Sequence, residues 1–250
     1  MLPIGPESRG NLAQNQPRHN EIMVGGFVPF TSIDFPNHLA AVIFCQGCTW
    51  RCSYCHNKHL QSLDSKASIP WQEIRLALKA RQGFLDGVVF SGGEPLLQQY
   101  LEDAILDILD IKFKVAIHTG GSRPENLQKI IKLVHWVGFD VKAPFDYYDQ
   151  VTKTKNSGDK AEKSLGIVLE SGVDYEVRTT IDPSTFTENY ILQIVEVLTQ
   201  LGVKTFVLQA FQTPSIDPEC ISWQKKTFFK NDPLIAELHN KFENFSIRGI

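Results

Sequence analysis

Four of the five cysteines fall in one short run, Cys45-Gln46-Gly47-Cys48-Thr49-Trp50-Arg51-Cys52-Ser53-Tyr54-Cys55, and only Cys220 lies elsewhere. Thiolates crowded on one loop suit a soft metal centre better than a set of disulfides. Two C-x2-C pairs, Cys45/Cys48 and Cys52/Cys55, invite a four-thiolate zinc site. Zinc ribbons, however, separate their pairs by roughly fifteen to twenty residues, so that two knuckles arrive from different elements. Here three residues intervene, the tight packing that ferredoxin-type runs use around iron and sulfur. Cys45 closes the apolar stretch 39–44, whereas Cys48, Cys52 and Cys55 lie in the loop beyond it. The run therefore reads as three ligands and one packing residue. Three thiolates on a cubane leave one iron without a protein ligand, and an open position is what separates a catalytic metal site from a closed structural one.

Further groups able to do chemistry follow at intervals. Ser91-Gly92-Gly93-Glu94-Pro95 is an ordinary strand-to-helix turn on its composition alone. Its glycines would also let backbone approach a ligand, and Glu94 could accept hydrogen bonds from a ligand ammonium group. His118-Thr119-Gly120-Gly121 ends the next strand, where a histidine is either structural or part of a site. Asp140 and Lys142 alternate on one strand, so they point to the same side and either form a salt bridge or face a ligand. Arg178, within a strand, needs a partner, and Glu176 two residues away is the simplest candidate. Cys220 has no cysteine near it.

The elements that must position these groups alternate. Short apolar runs at 39–44, 87–90, 113–117, 136–141, 175–181 and 205–209 read as buried strands. Helical patterns fill the intervals at 68–81, 96–109, 124–134, 161–170 and 188–201, with Ser68, Pro70 and Pro124 as start signals. Residues 22–37 read as a hairpin or extended lead-in, 153–163 as a mobile solvated loop, and 232–250 as a helix with a short extended end. Repeated βα units imply a parallel sheet with right-handed crossovers, and six are too few for a full eight-unit barrel. The expected fold is α/β, a partial (β/α)6 barrel, with ligands at the C-terminal strand ends where every motif above falls.

Cys48-x3-Cys52-x2-Cys55, with an aromatic Tyr54 before the last cysteine, resembles the signature of the radical S-adenosylmethionine (radical SAM) enzymes. The wider wording is Gly25-Gly26-Phe27-Val28-Pro29-Phe30-Thr31-Ser32-Ile33-Asp34-Phe35-Pro36, then the cysteine loop with His56-Asn57. It is similar to the activating enzymes of glycyl radical proteins, above all those of anaerobic ribonucleoside-triphosphate reductase, with the pyruvate formate-lyase activating enzymes near relatives. The similarity runs from about Met23 to the C-terminus. It implies a [4Fe-4S] cluster on Cys48, Cys52 and Cys55, whose open iron S-adenosylmethionine (SAM) chelates. One electron from a low-potential donor such as flavodoxin or ferredoxin would break the sulfonium bond. The 5′-deoxyadenosyl radical would then take a hydrogen atom from a glycine of the partner enzyme, with no side chain of this chain needed as acid or base.

The resemblance also implies a cofactor-binding set. Gly92, Gly93 and Glu94 would contact the methionyl amino group, Asp140, Lys142 and Arg178 the SAM carboxylate and ribose, and Tyr54 the adenine; His56 and His118 join them. Related activating enzymes often carry Asp-Thr-Asn-Gly where this chain has His118 to Gly121, the acid helping to hold a cation beside SAM, and His118 departs from that pattern. Two rivals stand beside this reading: a radical SAM enzyme acting on a small molecule, such as a 7-carboxy-7-deazaguanine synthase relative, and a non-catalytic iron–sulfur or zinc protein.

Composition agrees with one domain over 22–250 behind a flexible tail over 1–21. The 250 residues are 42% apolar and carry 25 basic and 28 acidic side chains, a net charge of −3 without long runs of either sign. Nothing in that balance favours nucleic acid or an anionic membrane. No stretch approaches the roughly twenty apolar residues of a membrane span. The polar first twenty residues lack a signal-peptide core, so a reducing cytoplasm is the expected location.

Overall fold

A computed structural model describes residues 21–65, 69–181, 187–211, 229–230 and 232–249. The expected tail, save Glu21, lies outside the described residues, as do Ser68 and Cys220. Each of the six expected strands forms: β2 (Ala40–Cys45), β3 (Gly87–Gly92), β4 (Lys114–Thr119), β5 (Trp136–Asp140), β6 (Asp174–Ile181) and β7 (Thr205–Ala210). The lead-in supplies β1 (Val24–Thr31), antiparallel to β2, and the extended C-terminal stretch supplies β8 (Asn244–Arg248), parallel to β7. Spatial order follows chain order from β1 to β8, with every pair from β2 onward parallel. A doubly wound sheet would reverse direction part-way; steady progression is the winding of a barrel left open between β1 and β8.

Among the described residues, seven α-helices accompany the strands: α1 (Trp71–Lys79), α2 (Leu101–Asp110), α3 (Pro124–Ile130), α4 (Tyr148–Thr152), α5 (Ser157–Ser171), α6 (Glu188–Gln200) and α7 (Asp232–Lys241). Two departures from the sequence reading have local causes. The helix expected over 96–109 breaks into a 3-10 turn, Pro95–Leu97, and α2. Gln98 between them is extended, because its Nε2 donates to Gln46 O (2.6 Å) and its Oε1 accepts from Met23 N (2.9 Å). The loop expected over 153–163 is instead largely helix: α5 begins at Ser157, buried with Gly158. The Asp149 carboxylate accepts from Asn156 N, Ser157 N and Ser157 Oγ, satisfying donors that would otherwise be orphaned there.

The sheet's two faces differ. Its outer face packs Ile43, Phe90, Ile117, Phe139 and Phe206 into the main core beneath the helices. Its inner face carries a separate small cluster, in which Val42, Val89, Ala116 and Trp136 stand in register across β2 to β5 with Phe35 against them. One step further along, the same face turns polar: His118 pairs with Gly138, and Gly138 with Glu176; Asp140 pairs with Arg178. Period-two alternation thus puts the apolar row at the barrel floor and the ionisable row at the C-terminal strand ends. Among the described residues, no helix is long and apolar enough to cross a membrane.

Candidate functional site

A cavity of about 300 Å³ opens at the C-terminal strand ends. Its wall contains every residue expected in the cluster or cofactor-binding set: Cys48, Cys52, Cys55, Tyr54, His56, Gly92, Gly93, Glu94, His118, Asp140, Lys142 and Arg178. It also contains Asp34, Trp50, Thr119, Thr180 and Gln209, which sequence reasoning missed as site residues. Asp34 sits in a turn read only as lead-in, and Thr180 and Gln209 carry no local motif. Their strand-end position on the inner face was the one signal available.

The cysteine loop is held from three sides. Gly47 N donates to Leu60 O (2.7 Å) and Cys48 N to Gln61 O (3.3 Å). Gly93 N donates to Cys45 O and Glu94 N to Gly47 O, both at 2.9 Å, so the turn after β3 is stitched to the start of the loop. That contact explains Gly92: at φ +114° any Cβ would be strained, and it would sit 2.6 Å from Cys45 O. The close backbone approach expected toward a ligand is thus also an approach to the cysteine loop. On the far side, Arg51 N donates to Thr152 O (2.7 Å) and Thr154 Oγ1 to Thr49 O (3.0 Å). Trp50 is buried edge-on against Tyr148 at 5.8 Å, while Arg51 is exposed.

Cys45 is fully buried at the end of β2, the packing role expected of it. Burial pushes the Cys48 thiol up to about 12 and raises Cys52, with the Glu94 charge adding to the effect at Cys48. Among the described residues, no three His, Cys, Asp or Glu side chains are gathered as one metal ion would need. A multi-iron cluster takes each thiolate on a different iron, so its ligands stand further apart than those of a single ion. A soft metal must also displace protons held this firmly, which thiolate-seeking metals do. The donor set, three thiols on one cavity-facing loop, fits such a cluster.

Charge is concentrated at the end of β5 and on β6, along the same cavity. Asp140 Oδ1 accepts from Arg178 Nε at 2.9 Å, and Asp140 Oδ2 lies 3.8 Å from Lys142 Nζ. Burial opposes the Asp140 charge, but Arg178 and then Lys142 outweigh it and hold the carboxyl below its usual range. Burial likewise opposes the Lys142 charge, and Asp140 more than restores it. Gly138 makes room, since a Cβ there would stand 2.8 Å from the Arg178 guanidinium carbon. Arg178 therefore pairs with Asp140 rather than with Glu176, the simplest candidate from sequence; Glu176 is bound at 2.5 and 2.6 Å by Arg248 from β8. Tyr148, from a stretch without a periodic signal, braces the strand end by donating its hydroxyl to Asp140 O (3.1 Å) and accepting from Lys142 N (2.9 Å).

Two expected ligand contacts already have protein partners. The buried Glu94 carboxylate accepts from Thr119 Oγ1 (2.6 Å), Leu96 N (3.1 Å) and Gly120 N (3.1 Å), joining the turns after β3 and β4. Burial raises its pKa against these bonds. His118 Nε2 lies 2.8 Å from Asp34 O. A carbonyl can only accept, so Nε2 carries the proton. Burial, reinforced by Arg178, lowers the ring's pKa to about 3, leaving Nδ1 an unprotonated acceptor at neutral pH. Tyr54 and His56 meet Phe211 after β7, Tyr54 edge-on at 6.3 Å and His56 stacked at 4.9 Å.

The family model of the Radical SAM superfamily matches residues 42–198, well over half of the chain. The chain belongs to the radical SAM superfamily. Enzymes of this family use a [4Fe-4S] cluster and SAM. A glycyl-radical enzyme activating enzyme of Methanocaldococcus jannaschii is 32% identical over 200 residues, covering 76% of this chain and 80% of that protein. The pyruvate formate-lyase-activating enzyme of Clostridium pasteurianum is 33% identical over 158 residues, covering 61% and 65%. Among solved structures, Streptococcus suis SuiB bound to S-adenosylmethionine superposes with a TM-score of 0.59 at 13% identity, over 82% of this chain. The chain spans about half of SuiB, 45%, and the likeness is one of fold. The partial-barrel radical SAM fold thus agrees with the order and direction of the strands.

Proposed function

We propose that this protein is an activating enzyme that generates a glycyl radical on a partner enzyme, the partner being anaerobic ribonucleoside-triphosphate reductase. The observation that carries the reading is that three cysteines and an ionic row line one cavity. The names of the two sequence relatives support the activating role.

In this reading Cys48, Cys52 and Cys55 hold the cluster. When bound, cluster and SAM together supply a carbon radical strong enough to take hydrogen from a glycine Cα. The residues of this chain bind and orient. Lys142 and Arg178 outnumber Asp140 by one charge, so the row suits the SAM carboxylate, while Asp140 and neutral His118 Nδ1 offer acceptors to the ribose hydroxyls. Glu94 has three of its roughly four acceptor positions filled, leaving one for the methionyl ammonium. Tyr54, His56 and Phe211 form an aromatic corner suited to adenine. The apolar floor of Phe35, Val42, Val89 and Trp136 closes the barrel beneath the site and keeps water from that side.

The test is anaerobic. The protein is reconstituted with iron and sulfide, reduced, and given SAM, with Cys52→Ala beside it; 5′-deoxyadenosine is assayed, then a glycyl radical is sought by electron paramagnetic resonance on purified anaerobic ribonucleotide reductase and on pyruvate formate-lyase. Cleavage lost in the variant and a radical on the reductase are expected. Cleavage without any glycyl radical would move the reading to a small-molecule radical SAM enzyme, and a cluster that never cleaves SAM to an electron carrier.

A further inference from the structure

The cysteine loop has two faces. Its inner face lines the cavity, which the cofactors and substrate must fill, so the outer face is the short route by which an electron can enter. Arg51 stands there, between Cys48 and Cys52, exposed, with its guanidinium donating to Cys48 O and to Trp50 O (2.9 Å). Those bonds lay the charge flat on the loop. The bonds from Arg51 N to Thr152 O and from Thr154 Oγ1 to Thr49 O bring the turn after α4 alongside, and this turn exposes Lys153 and Lys155. Among the described residues, none of the three cations is within ion-pair distance of a carboxylate. Of the exposed acids nearest in sequence, Asp149 is engaged with the N-terminus of α5, and Asp159 lies in the first turn of that helix. On a chain of net charge −3, three exposed cations thus gather on and beside the cysteine loop.

We propose that Arg51, Lys153 and Lys155 form the docking face for a small, acidic one-electron carrier protein. Complementary charge steers such a partner and fixes its orientation, acting mainly on the rate of encounter. In the docked pair the carrier is oxidised by one electron and the cluster reduced by one, with no atom transferred. The inference rests on the reading that Cys48, Cys52 and Cys55 hold the cluster.

The protein is loaded with iron and sulfide, its iron content measured, and bleaching of the cluster absorbance followed after mixing with pre-reduced flavodoxin or, separately, with photoreduced deazaflavin. The double variant Lys153→Glu/Lys155→Glu is expected to slow reduction by flavodoxin about tenfold or more at low salt, with no change for deazaflavin. Added salt should bring the unaltered protein down toward the variant, and Lys153→Arg/Lys155→Arg should retain the rate. An unchanged flavodoxin rate in the Glu variant, or an equal loss with deazaflavin, would overturn the proposal. Failure to take up iron would overturn it together with the cluster reading, whereas a reducible protein that makes no glycyl radical would leave it standing.

Discussion

Asp140 is the position where removing one charge should cost most for least change of shape. Asp140→Asn keeps an acceptor for Arg178 but leaves two cations facing each other, on side chains only 9% and 18% exposed. The charge-assisted bond from Arg178 contributes about 1.5–3 kcal/mol. The 3.8 Å contact with Lys142, toward a carboxylate 33% exposed, adds on the order of 0.5 kcal/mol after screening. Part of the first survives in the amide, so the expected loss is about 2–3 kcal/mol, or about 4–12 °C in melting temperature for a chain of this length. The assay is thermal unfolding of the metal-free protein from neutral to acid pH. Because the folded-state pKa of Asp140 is depressed, its contribution is complete above the ordinary carboxylate value, about 4, and disappears as pH falls through the lower folded value. The gap between protein and variant should therefore close in acid. A loss below about 0.5 kcal/mol, typical of an exposed pair, or a gap that persists in acid, would refute the view that this carboxylate organises the row.

His118 gives a pH signature of the same sign in a higher window. Folded, it stays neutral down to about pH 3, while the unfolded chain takes up its proton near 6.5; stability thus falls as pH drops through that window, by at most about 1.4 kcal/mol per pH unit for a half-buried ring. His118→Gln should show a smaller drop in unfolding midpoint between pH 7 and pH 5, and an identical drop would show that another group is responsible. Gly92→Ala should destabilise by about 1–3 kcal/mol through a strained φ and a Cβ forced against Cys45 O. Iron bound per chain after reconstitution should fall with it, since the same backbone positions the cysteine loop; full loading in a stable variant would count against that coupling.

Much of this protein was written in local signals. Apolar runs of strand length, alternating with 3.6-residue patterns, gave the six central strands and their direction, because burial on both faces leaves a continuous hydrophobic trace. The cysteine spacing singled out one loop as a candidate metal site for an equally local reason, since ligands supplied by one segment keep their spacing in the chain. What the sequence could not decide was pairing at a distance. Arg178 had Glu176 two residues away, yet strand register put Asp140 directly beside it and brought Arg248 across to Glu176. Gln98 broke a good helix because two tertiary hydrogen bonds outweighed propensity, and residues read as a solvated loop became α5 once Asp149 capped it. Glu94 is the same lesson at the site itself. Its residue type and strand-end place were legible, but two of its three protein donors, Thr119 and Gly120, come from the end of β4 and reach it only when β3 and β4 lie side by side. Residue chemistry and local period are properties of the chain, whereas the partner of a buried charge is set by which strands become neighbours, and only the folded sheet determines that.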